Sequence, residues 1–319
     1  MLIWALTDDR AGNNSQSIGL AQNLSNNYQI KEISYNKLAK LPNFLQFGSL
    51  IGINSYLKQE LINSKSPDII ISTGRKLAKI AIFLKKYHKN SFLVQIMNPN
   101  INFKKFDLVI LPDHDRKYNS DNIIRSLGAL TKIDKKKLEL EYQKFNYDLK
   151  KIPKPKIALL LGGSSKKNRF TLNNAQDLRK ICNKISNKMQ GSLLILDSRR
   201  TDNFILEELQ NNLNCNYQIF RYNQIPNPYL AILHDADYII ATGDSISMCS
   251  EISSLDKAIY IFSEKTFCSD KHLKFHNNLF AKNYARKLDD KIGILENYQK
   301  NILDETKRIA DLIIKKINS

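Results

Sequence analysis

The chain has 319 residues, 42% of them hydrophobic and 25% charged, which excludes a disordered or fibrous class and suffices for two domains with separate cores. Its net charge of +18 comes from lysines scattered among asparagines and isoleucines, with no Lys/Arg stripe interleaved with aromatics, so no nucleic-acid partner is expected. The four cysteines lack CxxC spacing and no apolar run approaches the ~20 residues of a membrane span, so the expected location is cytoplasmic, and at most peripheral at the inner face of an anionic membrane.

The first apolar strand, Leu2–Leu6, feeds the loop TDDRAGNNSQ and then a helical spacing from Ser17. In a parallel sheet that loop lies at the ligand edge. Arg10 there suits a phosphate, and Asp8 or Asp9 suits proton transfer or a sugar hydroxyl, although Asp-Arg-Ala-Gly is equally an ordinary polar turn. A short strand at Gln29–Ile33 precedes an irregular stretch with Pro42 and Gly48, a candidate crossover or membrane-touching segment. Next, DIIIS (Asp68–Ser72) turns through Thr73, Gly74 and Arg75 into a helix reaching Tyr87, and a glycine followed by arginine at a helix start suits an anion. Strands at Phe92–Ile96 and Phe106–Leu111 follow, the latter feeding Pro112-Asp113-His114-Asp115. Asp-His-Asp admits a metal reading, but neighbouring residues on a strand point to opposite faces, so proton transfer or hydrogen bonding by His114 is preferred and no metal is expected. The charged run Lys135–Lys151 and the prolines at 153 and 155 place the domain boundary between residues 1–150 and 151–319.

The second half begins again with the strand Ile157–Leu161, ending in Gly162-Gly163-Ser164-Ser165: glycines that permit close backbone approach, hydroxyls that can bond phosphate. A helix over about Asn174–Met189 leads to the strand Ser192–Leu196, which delivers Ser198, Arg199, Arg200 and Thr201 to the same edge. Paired arginines there can neutralise a diphosphate without metal. A helix over Asn203–Leu213, a strand at Tyr217–Phe220 and a helix opened by Pro228 come next. Then ADYIIATGDSISMCSEISSLDKAIYIF (Ala236–Phe262) reads as strand, turn, helix, strand. Thr242, Gly243 and Asp244 form the turn, Asp244 or Ser245 can cap the helix, and Glu251 lies ~9 Å further along its axis, where a ribose would sit if the helix start held the diphosphate. The pattern from Ile292 to Ile317 is helical and is expected to pack back on the first domain.

The architecture expected is α/β, with two Rossmann-like domains facing across a cleft; GGSS, SRRT and TGDS line one wall and TDDRAG, STGR and PDHD the other. The second-half series GGSS, SRR and ADYIIATGDSISMCSE resembles the nucleotide-sugar domain of GT-B glycosyltransferases, above all those that add N-acetylglucosamine to lipid-linked peptidoglycan precursors. That resemblance matches Gly162, Gly163 and Ser164 to the glycine-rich turn, and Asp244, Ser245 and Glu251 to the diphosphate and ribose segment, with Glu251 as ribose ligand. On the acceptor side, TDDRAGNNSQ lacks the glycine cluster and histidine of those enzymes.

Over nearly the whole chain, the ordered set WALTDDRAGNNSQ, PDIIISTGR, FDLVILPDHD, GAL, GGSS, DSRRT, NPY and ADYIIATGDSISMCSE is similar to the mitochondrial fission ELM (elongated mitochondria) family. KFHNNL fits the same family and adds His276 as a candidate. The anion-facing turns, the paired Arg199 and Arg200 and the resemblance to GT-B glycosyltransferases together give the expected function: a metal-independent, GT-B-like enzyme that takes a nucleotide-diphosphate sugar as substrate, has no cofactor, and uses a cell-envelope or lipid-linked glycan as acceptor. A nucleotide-sugar epimerase of the same fold and a non-catalytic recruiting protein are the alternatives.

Overall fold

The computed structural model of the protein describes residues 1–36, 52–165 and 168–318. The irregular stretch with Pro42 and Gly48 lies outside these residues. The chain divides into two compact units, residues 1–132 with 304–319, and residues 133–303.

In the first unit, β1 (Ile3–Thr7), α1 (Ala11–Leu24), β2 (Tyr28–Glu32), α2 (Ser55–Asn63), β3 (Ile69–Thr73), α3 (Gly74–Tyr87), β4 (Phe92–Ile96), β5 (Leu108–Pro112) and β6 (Ile123–Ser126) form a parallel sheet ordered β2-β1-β3-β4-β5-β6 with its helices. All five residues of β1 are buried, and their alternation feeds two cores. Trp4 and Leu6 pack with Leu77, Ala81 and Leu84 of α3. Ile3 and Ala5 pack on the other face with Leu20 and Ala21 of α1 and with residues from far along the chain, Ile309, Ala310 and Ile313.

In the second unit, α4 (Lys135–Gln143) and α5 (Asn146–Lys150) precede β7 (Lys156–Leu160), α6 (Leu172–Met189), β8 (Ser192–Leu196), α7 (Asn203–Asn212), β9 (Asn216–Phe220), α8 (Tyr229–Asp235), β10 (Tyr238–Thr242), α9 (Ile246–Ser253), β11 (Ala258–Phe262), α10 (Asp270–Ala281) and β12 (Arg286–Lys287). The sheet is parallel and ordered β12-β11-β10-β7-β8-β9, the dinucleotide-fold order. The chain then returns to the first unit as α11 (Glu305–Asn318). Thr306 Oγ1 accepts from the Thr131 amide at 2.8 Å and donates to its carbonyl at 3.1 Å, and Glu305 Oε2 accepts from Leu127 N at 2.8 Å.

Two boundaries differ from the sequence expectation. The units part after Lys132 and not near residue 150, because the charged run forms α4 and α5, which pack against α8 of the second unit. Lys156 Nζ, buried at the start of β7, ties them there by donating to Leu149 O at 2.7 Å and Asp235 Oδ2 at 2.6 Å. The final helix begins at Glu305 and not near Ile292. The preceding residues run as irregular chain along the second unit, with Glu296 N donating to Tyr260 Oη at 3.0 Å and Tyr298 Oη to Ile259 O at 2.8 Å.

Candidate functional site

In an open parallel sheet, a crevice opens beyond the strand ends where the order of strand addition reverses. That point lies between β7 and β10 in the second unit and between β1 and β3 in the first.

In the second unit, Leu160 is level with both Ala241 and Leu196. The segments following β7, β8 and β10 therefore leave the sheet side by side. Asp244 is their meeting point and is 4% exposed. Its Oδ2 accepts from Gly163 N at 2.9 Å and pairs with an Arg200 guanidinium nitrogen at 2.8 Å; its Oδ1 accepts from Thr242 Oγ1 at 2.7 Å. Gly162 N donates to that same threonine oxygen at 2.7 Å. A Cβ on Gly162 would stand 2.0 Å from Asp244 Oδ1, and one on Gly163 would stand 1.7 Å from the Arg200 carbonyl oxygen. The space left by the missing side chains is thus filled by Asp244 and the Arg200 backbone. Ser198 and Thr201 close the turn: Thr201 Oγ1 accepts from Ser198 N at 2.8 Å and donates to Gly162 O at 2.6 Å. Arg199 is exposed.

Ser245 caps α9, its hydroxyl accepting from Met248 N at 3.4 Å, while Asp244 turns inward. Glu251 Oε2 accepts from the Tyr229 hydroxyl at 3.0 Å, and burial, then the adjacent carboxylate, pushes that phenol well above its ordinary pKa. Ser164 donates to Asp202 Oδ2 at 2.6 Å, and Ser165 exchanges hydrogen bonds with the Asn168 backbone. Beside them runs a groove of about 640 Å³, lined by Ser164, Arg169, Phe170, Thr171, Asp202 and Phe204 among others. Gly243 lies against α10, and a Cβ there would be 2.6 Å from His276 Cε1. His276 is fully buried. One turn earlier on the same helix face is His272, whose Nδ1 accepts from the Ser269 amide at 3.3 Å, leaving the proton of the neutral ring on Nε2. Burial pulls the His272 pKa down, the Asp244 charge opposes it and Arg200 adds to it.

In the first unit, Ala5 is level with Ile71, which puts Asp8 beside Gly74 at the sheet edge. Gly74 has φ +80°, a left-handed conformation that glycine adopts without a Cβ penalty, and a Cβ there would meet Asn13 Nδ2 at 2.9 Å. Below it Ser17 and Thr73 share a buried hydroxyl–hydroxyl bond of 2.8 Å. Asp8 is buried: Oδ1 accepts from Arg10 N at 3.0 Å and Oδ2 from the Tyr35 hydroxyl at 3.3 Å, and Asn14 bonds both its backbone groups. Burial and this carboxylate together raise the Tyr35 pKa. Asp9 is exposed, with Lys76 Nζ 3.9 Å away. Arg10 and Arg75 are exposed at the starts of α1 and α3. His114 follows β5, three strand positions from β1, so about 14 Å separates it from Asp8 and Asp9 at ~4.8 Å per strand. These candidates share an edge without forming one cluster. Among the described residues, no group of three or more His, Cys, Asp or Glu side chains is placed to hold a metal ion.

Tyr35, Tyr229, Asp202 and His272 are parts of these crevices that the sequence did not single out. The first three act across 22–38 residues of chain, and of them Tyr229 alone leaves a local trace, as the last residue of NPY, with no role attached to it. Ser269-Asp-Lys-His272 does carry the spacing of a helix capping box, with histidine in place of the usual Glu or Gln.

A sequence model of the family described as "Mitochondrial fission ELM1" matches residues 11–317. The protein RP120 of Rickettsia prowazekii is 35% identical over 349 aligned positions, covering 98% of each chain. The Arabidopsis thaliana protein named "Mitochondrial fission protein ELM1" is 25% identical over 81% of this chain and 65% of its own length. Among solved structures, the UDP-GlcNAc 2-epimerase of Methanocaldococcus jannaschii aligns with a TM-score of 0.61 at 12% identity, covering 99% of this chain and all of the other. MurG of Acinetobacter baumannii aligns with 0.52 at 12% identity, covering 98% and 99%. At such identities the likeness shows the fold, that of GT-B glycosyltransferases and related epimerases.

Proposed function

The chain belongs to the mitochondrial fission ELM1 family, and from the GT-B fold and its two crevices we propose a glycosyltransferase-like enzyme that uses a nucleotide-diphosphate sugar without metal, with a cell-envelope or lipid-linked glycan as acceptor. The observation that carries this reading is the meeting of Gly163, Arg200 and the Asp244–Ser245 helix start at the β7–β10 switch point. Anions favour such a place because the first-turn N–H groups of α9 and a guanidinium converge there. Arg199 and Arg200 stabilise the leaving diphosphate. Glu251, held by Tyr229, takes the ribose hydroxyls. Asp9, exposed at the mouth of the first crevice, accepts the acceptor's proton, and the buried Asp8 fixes the loop that carries it. His114 is the competing base.

The decisive experiment has two stages. Melting curves and calorimetry with UDP, UDP-GlcNAc and other nucleotides, each with EDTA or Mg²⁺, test binding. Stabilisation should reach ~2.7 kcal/mol at a hundredfold excess over Kd, with or without Mg²⁺. Turnover is then followed with membrane extract as acceptor for wild type, Asp9→Asn, Asp8→Asn and His114→Gln. Loss of the true base should lower turnover by ~10²–10⁴-fold with little change in nucleotide affinity. An epimerised sugar with no acceptor consumed would replace transfer by epimerisation, and binding without any turnover would leave a recruiting protein.

A further inference from the structure

Three of the donors at the crevice that could hold a ligand phosphate are already engaged by the protein's own carboxylate. A glycine-turn N–H (Gly163, 2.9 Å), a hydroxyl (Thr242, 2.7 Å) and a guanidinium (Arg200, 2.8 Å) converge on Asp244, and the remaining turn amide, Gly162 N, is bonded to Thr242 at 2.7 Å. Such a set is what a phosphate oxygen requires. Asp244 cannot easily leave. It is 4% exposed, seated where a side chain on Gly162 would be, with its Oδ1 2.0 Å from the position of that absent Cβ. Of these three donors, Arg200 is the one that solvent reaches, its side chain being 35% exposed while Gly163 and Thr242 are buried. A ligand phosphate that binds Arg200 therefore sits beside a fixed negative charge.

We propose that Asp244 is a built-in anion at this crevice that discriminates by ligand charge, disfavouring a free nucleoside diphosphate more than the nucleotide sugar and so promoting release of the leaving diphosphate; the inference rests on the nucleotide-sugar reading above. In the sugar-linked ligand each phosphate is substituted on two sides, by one ester and by the shared anhydride oxygen, and carries one negative charge. When the sugar's anomeric carbon passes to the acceptor oxygen, its bond to the terminal phosphate oxygen breaks and the electron pair stays on that oxygen. The phosphate becomes a terminal group whose second proton is lost near pH 6, so at pH 7.5 the product carries close to one further charge. That charge forms at the end of the diphosphate and feels the Asp244 carboxylate directly. Removing the carboxylate charge should tighten the product more than the substrate.

The test measures Kd for UDP and for UDP-GlcNAc by calorimetry at pH 7.5, with wild type, Asp244→Asn, Asp244→Ser and Arg200→Gln, each checked for folding by circular dichroism and melting. Asparagine keeps the shape and serine keeps an acceptor for Gly163 N–H, so one charge-removing variant stands if the other misfolds. Either should bind UDP about tenfold more tightly, with a clearly smaller gain for UDP-GlcNAc, as one unit charge a few ångströms away predicts at intermediate dielectric. Arg200→Gln leaves the carboxylate unopposed and should weaken both ligands by about tenfold or more. Equal gains for the two ligands, no gain, or undiminished binding in Arg200→Gln overturns the proposal while leaving the nucleotide site in place. If wild type binds neither ligand, both readings fall.

Discussion

Gly163→Ala tests whether the glycine turn is shaped by the protein's own packing. The added methyl would stand 1.7 Å from the Arg200 carbonyl oxygen and 2.3 Å from its carbonyl carbon. These are backbone atoms, so no rotamer change relieves the clash. Restoring the 3.4 Å of ordinary contact requires about 1.7 Å of movement between the turns after β7 and β8. Movement on that scale breaks the Thr201–Gly162 bond of 2.6 Å and strains the Arg200–Asp244 pair of 2.8 Å. Overpacking costs ~1–3 kcal/mol and a lost hydrogen bond about 1 kcal/mol more, so a total near 3 kcal/mol is expected. For a unit of this size that lowers the melting temperature by about 6–12 °C. The control is Gly293→Ala, whose nearest neighbours are the flexible ends of Lys188 and Lys184 at 3.1 and 3.2 Å, and which should change melting by no more than about 2 °C. Scanning calorimetry of the two variants beside wild type decides. Equal melting of Gly163→Ala and Gly293→Ala would refute the reasoning and return the glycines to a role in ligand approach alone.

Lys156→Ala should cost about 3–5 kcal/mol in urea denaturation, because it strands the Asp235 carboxylate in the interior; the double change Lys156→Met with Asp235→Leu should recover most of it. Glu251→Ala should weaken UDP by about 1.5–3 kcal/mol in calorimetry while melting stays near wild type, and loss of folding instead would show that the Tyr229 contact is its main role. Burial holds the Lys300 pKa down to about 8, below the ~10.4 of an unfolded lysine, so the folded state binds fewer protons between those values. Stability should therefore rise from about pH 8 to 10.4, by no more than about 2 kcal/mol after solvent screening, and Lys300→Met should lack that slope in denaturation at a series of pH values.

Central strands were legible because burial on both faces writes them as unbroken apolar runs: IWALT, DIIIS, KIALL and AIYIF each announce themselves. The edge strands β6 and β12 escaped, since Ile123–Ser126 is only half-buried and Arg286–Lys287 is exposed on both residues. Placement of the loops at the strand ends followed from parallel topology alone. What the loops do to one another did not. That Asp244 faces inward while Ser245 caps the helix depends on Gly163 and Arg200, which lie 44–81 residues away in sequence. The charge of Lys135–Lys151 suggested a linker, but two short helices use their few apolar residues, Leu138 and Leu149, to seat on α8 and leave the lysines outside.

The return of α11 to the first unit has a consequence for synthesis. A ribosome delivers residues in order, and domains tend to close as their last strand or helix emerges. Residues 133–303 are continuous, so the second unit has all its parts while the first still lacks Ile309, Ala310 and Ile313, which cover Ile3 and Ala5 on one face of its sheet. The unit begun first is therefore completed last, and for the whole time taken to make residues 133–303 it carries an apolar face that α1 covers only in part. A nascent chain stalled after Leu303 should hold a protease-resistant second unit beside a first unit that chaperones still bind.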